Sequence, residues 1–333
     1  MICWVPFIAL TRGITNMVPW GIDRPLTGVE ILPVVNIVVG IVIYAFFAVT
    51  GWWRSAHQTQ IMGVSLPRPA LLTAMAGFGS AMLLITVPLS LTFPGVSIPF
   101  IQLIMRGDIL LVAPLVDKIT GRKVHWYSWV AVVLVAIALV ITIKQRGGLH
   151  MPILCIITII IYTLGYFIRL IVMSRISKTS DTEAQKRYFV EEQMVAYPVA
   201  VLMLAIVALA GHSSAMLQLR WGFTDIWGQP ALLDLLPLGA MTAVIGVIAA
   251  FILLDKRENT FCVPLERSAS ILGGVMAAYV LAWMYGFPLP TNAELVGVTI
   301  LVVAIVVLSF GPKFESRRRN KLSDKENDMK GES

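Results

Sequence analysis

The sequence predicts an all-α integral membrane protein made of two inverted repeats of five transmembrane helices. Three observations carry this expectation. Hydrophobic residues make up 57% of the 333-residue chain and charged residues 14%, with a mean hydropathy of +0.81, so most of the surface matches hydrocarbon. Apolar runs near the twenty residues that cross about 30 Å of hydrocarbon recur along the chain. The chain also matches itself at an offset of 161 residues. Glu30 falls on Glu191, Pro69-Ala70-Leu71-Leu72 on Pro230-Ala231-Leu232-Leu233, and Arg106 on Arg267, with no gap between these anchors.

The apolar runs place helices near 31–53, 69–92, 98–117, 127–144, 151–173, 192–211, 231–254, 261–285 and 292–311. Met1 to Leu10 is a short tenth candidate at the start. Phe167-Ile168-Arg169-Leu170 resembles Phe7-Ile8-Ala9-Leu10 at an offset of 160, which makes this first helix the counterpart of the helix at 151–173. It then begins about ten residues late and reaches only about 15 Å, half the hydrocarbon core, so the start reads as truncated. Five helices per repeat force the second copy upside down, with the substrate path expected between the halves. The domains are accordingly 1–150, 151–311 and a disordered cytoplasmic tail at 312–333.

Charge sets the orientation. With the tail inside the cell and sides alternating backwards from it, inside segments hold eighteen Lys or Arg and outside segments five. The inside set includes Arg54, Arg68, Lys118, Arg122, Lys123, Arg175, Lys178, Lys186, Arg187, Lys256 and Arg257. This bias follows the positive-inside rule. The net charge of +7 is thereby explained without a nucleic-acid partner. Cys3, Cys155 and Cys262 lie far apart in apolar stretches, so they form neither a disulfide framework nor a metal cluster. Residues 1–12 lack the basic region and cleavage site of a secretory signal peptide.

Two local patterns add a family likeness. Arg106-Gly107-Asp108-Ile109-Leu110-Leu111-Val112-Ala113-Pro114 leads through Gly121-Arg122-Lys123 to Trp129 and a Val/Ala/Leu-rich helix. Pro264 to Ala278 carries Ser268, Ala269, Ser270, Gly273 and Gly274, and Asn292-Ala293-Glu294-Leu295-Val296-Gly297 opens the last helix. With ten helices in two halves of about 160 residues, the chain resembles the EamA-like branch of the drug/metabolite transporter superfamily. The resemblance implies a carrier of small metabolites or drugs, often an exporter, working by alternating access in the bacterial inner membrane. It names no substrate.

A charge inside a spanning helix costs several kcal/mol unless it faces protein or water, so each is a functional candidate. Inverted symmetry sets Arg106 and Arg267 on either side of the midplane. A guanidinium stays charged there, and its forked donors suit a carboxylate or phosphate. Internal ion pairs with Asp108 or Glu266 are the competing reading. Asp108 and Glu266 are also the carboxylates placed for proton coupling, which a neighbouring arginine would oppose. Tyr162, Tyr166 and Arg169 share one helix face and either line a cavity or anchor at the interface. Gly77, Gly79, Ser80, Gly239 and Gly246 mark close helix approaches, and Gly273-Gly274 could serve as a hinge.

The sequence holds no His-Glu-x-x-His, Gly-x-Ser-x-Gly or nucleotide-binding loop. No enzyme activity, cofactor or direct ATP drive is therefore expected. The expected partners are a small-molecule substrate and membrane lipid, with a homodimer left open. The leading expectation is a secondary carrier of a small polar or anionic metabolite. A flippase for lipid or lipid-linked sugar on the same fold is the alternative.

Overall fold

The computed structural model describes residues 3–19, 21–61, 64–93, 95–121, 125–145, 151–176, 181–254 and 259–331. Among these residues eleven α-helices follow one another: α1 Trp4–Asn16, α2 Gly28–Thr50, α3 Leu71–Ser90, α4 Ile98–Ile119, α5 Trp126–Gln145, α6 Ile153–Ile176, α7 Thr182–Ala210, α8 Ser214–Phe223, α9 Leu232–Leu254, α10 Asn259–Tyr285 and α11 Asn292–Gly331. Helix accounts for 83% of the described residues. A small antiparallel hairpin, β1 Gln58–Ile61 with β2 Val64–Pro67, joins α2 to α3.

Among the described residues, seven helices are long and apolar enough to cross a membrane: α2, α3, α5, α6, α7, α9 and the first half of α11. The chain is therefore of the all-helical membrane type. The continuous apolar stretches of α4 and α10 are shorter, Ile98–Gly107 and Ala269–Tyr285. These are the two helices that carry Arg106 and Arg267.

Side chains fix where the helices begin and end. Glu30 accepts from the backbone N–H of Thr27 at 2.8 Å and caps α2. Glu294 does the same for α11, accepting from the N–H of Thr291 at 3.0 Å, while Thr291 Oγ1 accepts from the N–H of Glu294 at 3.4 Å. At the other end, α2 and α7 both stop at a left-handed glycine, Gly51 (φ +70°) and Gly211 (φ +60°).

The packing is paired. α3 lies on α6 and α7, and α9 lies on α1 and α2. α1 meets α10 as α6 meets α4, and α4 meets α5 as α10 meets α11. α4 and α10 touch directly, as do α5 and α11. Small residues set the closest crossings. A Cβ on Gly79 would stand 2.6 Å from the Gly165 carbonyl oxygen, and one on Gly165 would stand 2.7 Å from that of Gly79. Gly77 and Gly239 likewise press on Val195 and Val38, each at 2.6 Å. Gly246, expected at a close approach, faces open space.

Several boundaries differ from those read in the sequence. α1 runs from Trp4 to Asn16, six residues beyond Leu10. α7 starts at Thr182, ten residues before the apolar run, because Asp181 caps it through the N–H of Glu183 at 2.9 Å. Its first turns are charged and carry no apolar signal. α8 was unforeseen: ten residues make it too short to read as a span, yet Gly222 packs against the Glu30 carbonyl of α2. The tail expected to be disordered instead continues α11 as helix to Gly331. Between Lys313 and Lys330 it holds no Gly or Pro and many Lys, Arg and Glu, all good helix formers. His125 anchors its start, with Nδ1 2.9 Å from Glu315 Oε2.

Candidate functional site

Arg106 and Arg267 each stand eight residues into their helices, α4 and α10, and both line one cavity inside the bundle. Arg169 of α6 joins them there. The cavity measures about 120 Å³, close to the volume that a benzene ring fills in an apolar protein cavity. Leu83, Leu84 and Val87 of α3 form one wall, and Ile245, Ala249 and Leu253 of α9 form another. Trp4 and Phe7 of α1 contribute aromatic surface.

The three guanidinium groups are partnered in three different ways. Arg169 grips Glu192 of α7 through both forks, Nε to Oε1 at 2.5 Å and Nη2 to Oε2 at 3.3 Å. Ser80 Oγ donates to the same carboxylate at 2.5 Å, and Gln193 Nε2 donates at 3.3 Å. Glu192 is thus a buried carboxylate whose bonds are satisfied. This cluster ties α3, α6 and α7 together.

Arg267 has a weaker arrangement. Its Nε lies 2.7 Å from Oε2 of the adjacent Glu266. The two atoms are not aligned for a hydrogen bond, and neither finds another partner. The contact is electrostatic only, reinforced by the Tyr166 ring 4.5 Å from the guanidinium carbon. Local pairing of Arg267 with Glu266, one of the two sequence readings, is therefore present.

Arg106 has no carboxylate partner among the described residues. It is 1% exposed. Its Nε donates to Gln102 Oε1 at 3.0 Å, and Nη1 donates to the Tyr162 hydroxyl. The rings of Trp4 and Tyr162 each lie 5.5 Å from the guanidinium carbon. Neutral hydrogen bonds and ring faces orient the cation but do not cancel its charge. A buried charge without a counter-charge costs several kcal/mol. Such a group persists where something else repays that cost, and an anionic ligand is the simplest candidate.

The structure brings together most of the residues singled out in the sequence. Tyr162 and Tyr166 are fully buried on α6, their rings tilted at 40° with centroids 5.9 Å apart and Arg169 on the same face, which argues against the interfacial-anchor reading. The side chain of Asp108 lies outside the described residues. Gly273 and Gly274 fall within an unbroken α10 and pack closely, a Cβ on Gly273 meeting Trp4 at 2.8 Å and one on Gly274 meeting Gln102 at 3.2 Å. The sequence pointed to neither Gln102 nor Glu192. Gln102 lies one turn before Arg106, a spacing that could have found it. Glu192 opens the run read as 192–211, but its partner Arg169 is 23 residues away, which no local spacing reveals.

Glu30 and Glu191 stand outside the cavity and organise the chain instead. Glu191 accepts from the backbone N–H of His57 and of Ala70, both at 3.0 Å, and lies 2.5 Å from His57 Nδ1. It thereby holds both feet of the β1–β2 hairpin on α7. Glu30 receives both forks of Arg24, at 2.9 and 2.6 Å. Arg12 of α1 donates to the carbonyls of Leu91, Phe93 and Val96 at 2.9, 3.0 and 2.9 Å, fastening α1 to the α3–α4 linker. Among the described residues no group of three or more His, Cys, Asp or Glu is placed to hold a metal ion. No family model matches the chain, and no curated protein matches it.

Proposed function

We propose that the chain is a secondary-active transporter that carries a small anionic metabolite across the membrane, with Arg106 as the group that holds the anion. The single observation behind this reading is a buried guanidinium, oriented by neutral partners and lining a half-open cavity between the helices. The cavity lies where a carrier keeps its substrate, among helices drawn from both halves of the chain.

The two halves are read as inverted five-helix repeats of an EamA-like drug/metabolite transporter. Support comes from the paired packing and from the cavity itself. Three pairs of positions related by the 161-residue offset line it on both sides: Leu84 with Ile245, Pro88 with Ala249, and Arg106 with Arg267. The β1–β2 hairpin and α8 then fill the corresponding link of each half, between Glu30 and Pro69 and between Glu191 and Pro230, with different local structure. The charge bias puts the end of α11 in the cytoplasm, and a bacterial inner membrane is the assigned location. Export is the assigned direction, by alternate opening of the cavity to the two sides.

Metabolite profiles of cells and medium test the assignment, comparing strains that express the intact chain, Arg106→Met, or an empty vector. An organic anion that accumulates outside only with the intact chain supports it. Equal export by Arg106→Met at equal membrane abundance refutes the anion-binding role.

A further inference from the structure

The charge inventory of the cavity narrows the substrate. Three guanidinium groups and two carboxylates meet there among the described side chains. Glu192 pairs with Arg169 and Glu266 with Arg267, which leaves Arg106, among the described side chains, as the charge with no carboxylate of its own. A net charge of plus one in a low-dielectric cavity is balanced by one negative charge. A second negative charge would be buried without a partner, unless it broke one of the two existing pairs.

Shape adds a second constraint. Nε of Arg106 is engaged by Gln102 and Nη1 by Tyr162, so Nη2 is the donor edge with no partner. The lining from α3 and α9 is mostly aliphatic, including Leu84 and Ile245, and the polar Ser80, Gln193 and Thr242 beside it already donate to Glu192 or to the Leu238 carbonyl. Along these walls a polar substrate body would lose hydration without gaining hydrogen bonds. The volume of about 120 Å³ admits one small ring or a short branched chain.

Building on the reading of Arg106 as an anion site, we infer that the substrate is an organic monoanion with a small apolar body, of the aromatic or branched-chain monocarboxylate class. Dicarboxylates and phosphate dianions are excluded by charge balance, and uncharged isosteres by the demand of Arg106.

Calorimetric titration of the purified full-length protein with benzoate, phthalate and benzamide separates these cases. The expected order is benzoate tighter than either of the others by at least about tenfold. Glu266→Gln keeps the side-chain shape and raises the site charge to plus two, so phthalate should gain at least about tenfold relative to benzoate. Arg106→Gln makes the site neutral and should favour benzamide, which serves if Glu266→Gln does not fold. Phthalate binding as tightly as benzoate to the parent overturns the inference. So does an unchanged order in Glu266→Gln, or no benzoate binding at all. Benzoate binding that survives Arg106→Gln overturns instead the reading of Arg106 as the anion site.

Discussion

Arg106 and Arg267 occupy the same depth in two helices that touch, yet one is paired with a carboxylate and the other is not. Arg267 has Glu266 at 2.7 Å, whereas Arg106 has only Gln102, Tyr162 and two ring faces. The 161-residue offset that aligns the two arginines does not partner them alike. That asymmetry is the reason Arg106 is proposed as the anion-binding member.

Its cost should be visible in stability. Arg106→Met removes a buried charge that no carboxylate offsets, so unfolding of the purified protein should be unchanged or stabilised by up to about 1–4 kcal/mol. The same substitution should abolish anion binding. A marked loss of stability, measured by thermal unfolding in detergent, would mean that Arg106 is a structural residue.

Arg169 should behave in the opposite way. Arg169→Met strands the buried Glu192 carboxylate, with a cost of about 3–5 kcal/mol. Removing the second charge as well, in Arg169→Met/Glu192→Leu, should recover much of it. A double-mutant cycle of unfolding temperatures checks this, and additive losses would contradict the pairing.

What the sequence made legible follows from the physics of each signal. Long apolar runs located α2, α3, α5, α6 and α9 well, because hydrocarbon matching is a composition effect that needs no tertiary context. The buried arginines were legible for the same reason: an apolar run makes a charge conspicuous. Their partners were not. Glu192 opens the apolar run read as 192–211, and its burial rests on contacts with Arg169 and Ser80 that no local pattern reveals. α8 and the β1–β2 hairpin depend on long-range anchors, Glu30 and Glu191, that no local pattern reveals.

The crossing of α3 and α6 should tolerate no added methyl group. Gly79→Ala and Gly165→Ala each push a Cβ to within 2.6 or 2.7 Å of backbone oxygen on the partner helix. Each should lower the unfolding temperature, by an amount typical of overpacking at about 1–3 kcal/mol. Gly246→Ala, facing open space in the cavity wall, is the control and should leave stability unchanged.

Glu191 should control the hairpin. Glu191→Ala removes the acceptor for both the His57 and the Ala70 N–H, so the hairpin should detach from α7. Faster amide exchange across residues 57–70, with the spanning helices unchanged, is the expected readout. Unchanged protection would show that Trp52, whose ring meets Phe189 of α7 and Phe251 of α9, holds the segment without it.

The central claim is that water and anions reach Arg106 inside the bundle. With Cys3, Cys155 and Cys262 replaced, a single cysteine at Leu84 or at its repeat mate Ile245 reports on the cavity. An anionic thiosulfonate reagent should label it faster than a cationic reagent of similar size, and Arg106→Met should erase that preference. Cysteines that stay unreactive from both sides, or a preference that survives Arg106→Met, would contradict the account.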